Sequence, residues 1–222
     1  IAEKSEGLLM SNIRGLFFVF VGPGGTGKNT LMKIIMERHP EIKQLATATT
    51  RAMRPGEKQG RERIFVSADR FRQMIANDEL LEYQEVTPGK FYGIPKESVE
   101  SVLGKGEHLI ADIEVRGAEV VLKTYKEDTV VIYVTVPGET EDEQLETLKQ
   151  RMLHRLTHEP TDADRAVINQ RLERAKNLEF PFSKKCEHII INDDLNAAAE
   201  QVDAIVKKSI EKRGMKVKES EK

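Results

Sequence analysis

The run Gly22-Pro23-Gly24-Gly25-Thr26-Gly27-Lys28-Asn29-Thr30 places four glycines and a lysine directly after an apolar stretch that ends at Val21. Glycines let a backbone curl tightly enough to aim successive N–H groups at phosphate oxygens, at the positive end of a helix dipole. Lys28 adds a point charge for the β and γ phosphates, so the segment reads as a phosphate-binding loop that opens a helix. A Ser or Thr normally follows that lysine and gives its hydroxyl to Mg²⁺. Asn29 offers a carboxamide oxygen instead, a weaker metal ligand, and Thr30 comes one position late.

A second constellation runs from Thr47 through Thr49, Thr50, Arg51, Arg54 and Gly56 to Glu57. Two arginines beside hydroxyls suit bidentate capture of a second phosphate. Asp112 and Glu114, two apart on an expected strand, project to one face near its C-terminal end, where ligands of parallel sheets gather. Arg151 and Arg155 are i and i+4 on an expected helix, and Arg171 follows beyond a polar stretch; such arginines stabilise spread negative charge. His154 and His158 share the i, i+4 spacing without another convincing ligand, so no metal site is expected there. The single cysteine, Cys186, excludes an internal disulfide and reads as a core residue at a strand entrance.

These side chains need a scaffold. Short Val- and Ile-rich runs, Leu16 to Val21, Leu109 to Val115, Val130 to Val136 and His188 to Ile191, read as buried strands. Helical patterns alternate with them: Lys28 to Arg38, Ala68 to Ala76, Ala118 to Tyr125, Glu141 to Leu156, Asp162 to Leu178 and Leu195 to Lys212. Alternation of this kind implies an α/β fold with a mostly parallel sheet. The polar stretches Arg51 to Arg63 and Leu156 to Asp164 read as substrate loops or lids.

At 222 residues the chain is long enough for one α/β domain with a substantial core. With 35 basic against 37 acidic residues, no global field points to nucleic acid or a membrane surface. The run Gly15 to Val21 is too short to span a bilayer, and the N-terminal segment lacks the order of a secretion signal, so a soluble cytoplasmic protein is expected.

The order Thr49-Thr50-Arg51, Arg54, Pro55-Gly56-Glu57 behind the phosphate loop resembles the guanylate kinases, and the likeness continues from about Gly15 to about Ile205. It implies a three-layer P-loop NTPase fold that passes a phosphate from Mg²⁺-bound ATP to GMP, and to dGMP, in purine nucleotide metabolism. By the same resemblance, Glu82 accepts the guanine N–H groups and Tyr92 contacts the GMP phosphate. Thr47, Arg51, Arg54, Arg63, Asp112 and Glu114 complete the GMP side, the last two lying beside nucleotide and metal. Arg151, Arg155 and Arg171 become lid arginines, Asn192 lies near the ATP base, and Asn29 stands at the Mg²⁺ position. The implied layout is an N-terminal extension over 1–14, a kinase domain over 15–213 with a GMP-binding region at about 47–100 and a lid at about 151–171, and a flexible tail over 214–222. Small-molecule substrates alone are expected as partners, in a monomer or homodimer.

Three positions depart from the pattern. Arg63 replaces a tyrosine whose hydroxyl helps hold the GMP phosphate, Ile94 replaces a Ser or Thr that helps read guanine, and Asn29 replaces the metal-side hydroxyl. Two alternatives follow from them: a related kinase for a sugar phosphate such as ribose 1,5-bisphosphate, which shares Tyr92-Gly-Ile-Pro95, and a non-catalytic interaction module on the same fold.

Overall fold

The computed structural model describes residues 14–53, 56–61, 63–87 and 89–220. Arg54, residues 1–13 of the N-terminal extension and the last two residues of the tail lie outside them.

The chain forms two compact units. One is built from residues up to Phe17, His39–Ala111 and Glu119–Thr129; the other from Phe18–Arg38, Asp112–Ala118 and the chain from Val130 onward. In chain order the elements are β1 (Phe17–Val21), α1 (Lys28–Arg38), β2 (Ile42–Gln44), β3 (Thr47–Thr49), β4 (Arg63–Phe65), α2 (Ala68–Ala76), β5 (Leu80–Thr87), β6 (Lys90–Pro95) and α3 (Lys96–Leu103). Then come β7 (His108–Asp112), α4 (Val115–Thr124), β8 (Thr129–Thr135), α5 (Glu141–Leu153), α6 (Asp162–Arg174), a π-helical turn (Ala175–Glu179), α7 (Phe180–Ser183), β9 (His188–Ile191) and α8 (Leu195–Ser220).

Two sheets result. The five-stranded sheet has the order β2-β7-β1-β8-β9, with β2 parallel to β7 and β8 parallel to β9. The α/β class and the mostly parallel sheet follow the sequence expectation. β1 is buried at every residue, as its unbroken Phe/Val run requires of a strand covered on both faces. The four-stranded sheet, β4-β3-β6-β5, was not foreseen as a sheet. β5 mixes polar with apolar residues and β6 is interrupted by Gly93 and ended by Pro95, so neither gives a clean apolar run. The other face packs on α2, where Ala48, Phe71, Met74 and Leu80 form a buried cluster and Phe71 stacks on Phe91 at 5.4 Å.

In the second unit, Val136, Leu148, Met152, Ile168, Ala175 and Phe180 form a core that unites α5, α6 and the π turn. Local chemistry sets the helix starts. Thr140 caps α5 by accepting from Glu143 N, and Thr161 with Asp164 forms a reciprocal capping box at α6.

Several boundaries differ from expectation. β7 stops at Asp112, and Glu114 gives its carbonyl to Ala118 N as the first bond of α4, so Asp112 and Glu114 are not strand neighbours. α5 stops at Leu153 with His154 as its C-cap, which leaves Arg155 in the turn and off the helix face of Arg151. α6 gives way at Arg174 to the π turn. α8 continues to Ser220, because Gly214 does not take the positive φ that would end a helix and a lone glycine costs only about 1 kcal/mol.

Arg14, counted with the flexible extension, is instead anchored: Nε donates to Asp128 Oδ2 at 2.7 Å, Nη1 donates to Glu100 Oε2 at 2.9 Å, and the guanidinium lies 5.8 Å from the Tyr125 ring centroid. The Arg14 bond holds the Glu100 carboxyl below its ordinary range. A depressed carboxylate contributes stability above its unfolded pKa of about 4.3 and loses it as pH falls through the folded value. Both side chains are more than a third exposed, so screening limits the effect to about 0.5 kcal/mol. Urea denaturation should show Glu100→Gln less stable than the parent by about that amount at pH 7, with the difference gone at about pH 3.

Candidate active site

The phosphate loop is shaped by glycines in the left-handed region. Gly22 has φ 138°, and a Cβ there would lie 2.1 Å from the Val134 carbonyl oxygen. Gly27 has φ 89°, and a Cβ there would lie 2.4 Å from Asn192 Nδ2. The loop closes on its own lysine: Lys28 Nζ donates to Gly22 O at 2.7 Å and to Pro23 O at 3.0 Å, with Asp112 Oδ1 at 3.8 Å. Lys28 is 8% exposed, so this ammonium is a buried charge whose lost hydration is replaced by carbonyl oxygens and a carboxylate. Thr26 is fully buried and donates to Pro23 O, while Asn29 and Thr30 are both exposed on the first turn of α1.

Around this loop the second unit gathers most of the sequence-predicted donor residues. Asn192, 5% exposed, donates Nδ2 to Thr26 O at 2.7 Å, so its amide braces the loop. Arg151 donates Nη2 to Asn192 O at 2.8 Å. Arg171 lies over the loop, with Cδ and Nη1 both 4.0 Å from a Cβ placed on Gly24. Arg155 is exposed in the turn after α5 and is not brought to the loop by any contact.

Two residues that spacing did not mark join the group. Arg174 donates to Glu114 Oε2 and, through Nε at 3.3 Å, to Glu179 Oε1. Glu179 is 8% exposed, and burial pushes its carboxyl above the usual range, against the pull of Lys28 and Arg174. Glu114 Oε1 is buried and has no hydrogen-bond partner among the described residues.

The first unit assembles the acceptor residues on one face of the four-stranded sheet. Thr47 is opposite Arg63, Thr49 is opposite both Phe65 and Tyr92, and Tyr92 is opposite Gln84. Glu82 is opposite Ile94, two residues on from Tyr92. Directly paired residues share a face and alternate residues return to it, so Thr47, Arg63, Tyr92 and Glu82 all point the same way. Arg63 Nη1 donates to Thr47 Oγ1 at 2.5 Å. Arg51 lies 5.4 Å from the Phe65 ring centroid, interacts with Tyr92, and forms a two-pronged pair with Glu57. That pair raises the Arg51 pKa. Ile94 is 2% exposed and therefore a core residue. Glu57 closes the second constellation in sequence, and its partnership with Arg51 carries no spacing signal.

Cys186 is half-buried just before β9, with its thiol pushed up to about 11 by burial. Among the described residues, no three His, Cys, Asp or Glu side chains are grouped to hold a metal ion, and no helix is long and apolar enough to cross a membrane.

A family model described as guanylate kinase matches residues 15–209. A guanylate kinase of Bradyrhizobium diazoefficiens is 34% identical over 204 residues, covering 92% of this chain and 87% of that protein. The chain belongs to the guanylate kinase family. A guanylate kinase of Caulobacter vibrioides is 36% identical over 185 residues, covering 83% of this chain and 81% of the relative. The crystal structure of guanylate kinase from Anaplasma phagocytophilum aligns with a TM-score of 0.62 at 26% identity, over 90% of this chain and 88% of that one. Guanylate kinase membership also accounts for the P-loop NTPase fold.

The bracing of the loop gives a test. Gly27→Ala forces a side chain into a left-handed position and onto the Asn192 amide. Calorimetric titration should show ATP binding at least tenfold weaker than in the parent, with a stability loss of about 1–3 kcal/mol.

Proposed function

We propose that this chain transfers the γ-phosphoryl group of ATP to GMP, giving ADP and GDP, and that it accepts dGMP in the same way. The observation that carries the reading is the shared face of Thr47, Arg63, Tyr92 and Glu82 in a member of the guanylate kinase family whose phosphate loop and buried Lys28 are intact.

In this reading the loop N–H groups and Lys28 hold the ATP phosphates, and the Lys28 ammonium exchanges part of its carbonyl contact for phosphate oxygen. Arg51 and Tyr92 receive the GMP phosphate, for which the phosphate competes with Glu57 for the Arg51 fork. Arg63 adds a cation to the acceptor face in place of a tyrosine hydroxyl. Glu82 accepts the two donors of the guanine edge, a pair that adenine does not present. Arg171 and Arg151 offset negative charge on the transferring group; Arg54, outside the described residues, belongs with Arg51 by its sequence position. The acceptor oxygen is ionised at neutral pH, so positioning and charge suffice and no general base is assigned.

Mg²⁺ fits the donor side. Magnesium is held by one or two carboxylates together with substrate phosphates and water. Asp112, with a third of its side chain exposed beside Lys28, and Glu114, with its unpartnered buried oxygen, supply such a pair; the exposed Asn29 carboxamide is a third oxygen. When bound, the ion supplies charge neutralisation between phosphate oxygens.

The sugar-phosphate kinase alternative rests on Asn29 and on the tetrapeptide Tyr92-Gly-Ile-Pro95. Ile94 lies opposite Glu82 on the acceptor face and offers it no hydroxyl, and no observation favours that alternative or a non-catalytic module.

The test is ADP formation from ATP and Mg²⁺ with GMP, dGMP, AMP, UMP, CMP and ribose 1,5-bisphosphate supplied separately. Activity confined to GMP and dGMP is expected, and Glu82→Gln should lower kcat/KM for GMP by roughly a hundredfold because the amide misplaces a donor against the guanine N–H groups. Activity with the sugar phosphate alone would overturn the reading.

A further inference from the structure

The π turn at Ala175–Glu179 sits where the second unit's charges converge. Its Phe180 N–H donates to Ala175 O, the i to i+5 bond that defines such a turn. In a regular α-helix, residues five apart are about 140° apart around the axis and cannot meet. Across a π turn they stack on one side, and this is how Arg174 and Glu179 come within 3.3 Å. The consequence is a chain of contacts: buried Glu179 Oε1 accepts from Arg174 Nε, and Arg174 Nη2 donates to Glu114 Oε2. Glu114 Oε1 is left buried without a partner, a costly state for a carboxylate oxygen unless a ligand completes it.

We propose that Arg174 and Glu179 are positioning residues that hold Glu114 so that its unpartnered oxygen is presented to the cation accompanying ATP. Glu179 fixes the guanidinium and the guanidinium fixes the carboxylate, through a helix geometry that only the π turn supplies. Outer partners of this type set ligand orientation, and their removal typically weakens metal affinity by roughly tenfold or more. The inference rests on the kinase reading for the identity of the bound cation and nucleotide.

The experiment compares the parent with Arg174→Gln, Glu179→Gln and the double variant, all as the full chain. Calorimetry measures ADP binding with Mg²⁺ and in EDTA, and GMP binding alone; steady-state assays give kcat and KM, and thermal melts report folding. Each single variant should weaken ADP binding roughly tenfold with Mg²⁺ and less than about twofold in EDTA or for GMP. The double variant should be no weaker than the weaker single, because the residues act in series. Losses equal with and without Mg²⁺, single effects that multiply, or unchanged Mg²⁺·ADP affinity would each overturn the proposal. Arg174 is exposed, so Arg174→Gln carries the test if the buried Glu179→Gln does not fold. Failure of the kinase reading shows separately, as absence of GMP-dependent ADP formation by the parent.

Discussion

A buried ammonium held by the backbone of its own loop organises the phosphate loop of the second unit. Lys28 gives up most of its hydration, and two carbonyl oxygens within 3.0 Å stand in for water. That arrangement requires a loop that turns back on itself, hence glycines at φ values closed to other residues and a backbone close enough to Val134 to exclude a Cβ at Gly22. It also requires the loop to be held from outside, which Asn192 does through Thr26 O, with Arg151 held in turn on Asn192. Neutral carbonyl oxygens hold an ammonium less tightly than anionic oxygens do, which leaves Lys28 able to change partners.

The four-stranded sheet depends on a different constraint, the alternation of a β-strand. One face of the four-stranded sheet must be apolar to pack on α2, through Ala48, Leu80 and Phe91. The other face is then free for Thr47, Arg63, Tyr92 and Glu82. Charges on that face are already paired with neighbours: Arg51 with Glu57, Arg63 with Thr47. Such pairing keeps cations ordered while leaving exchange for a stronger anion favourable.

Much of this was legible in the residues. The phosphate loop announced itself because strand, glycines, lysine and helix coincide in one short run, and β9 and α1 were placed to the residue because apolar runs and helical periodicity were unambiguous. The four-stranded sheet was not, since β5 mixes polar with apolar residues and β6 is interrupted by Gly93, so neither strand gives a clean apolar run. Arg155 was misplaced on a helix because periodicity does not reveal where α5 ends, and Asp112 and Glu114 were read as strand neighbours because the apolar run continues into α4. Arg174 and Glu179 had no signal at all. Their contact exists only through a π turn, and a spacing of five suggests opposite sides of a helix.

If Lys28 serves the donor phosphates and not the acceptor, titration calorimetry of parent and Lys28→Met should separate the two ligands. The variant is expected to bind Mg²⁺·ATP about thirtyfold more weakly, equivalent to about 2 kcal/mol for a lost charged hydrogen bond, and to bind GMP as the parent does. Unchanged ATP affinity, in a variant that still binds GMP, would contradict it.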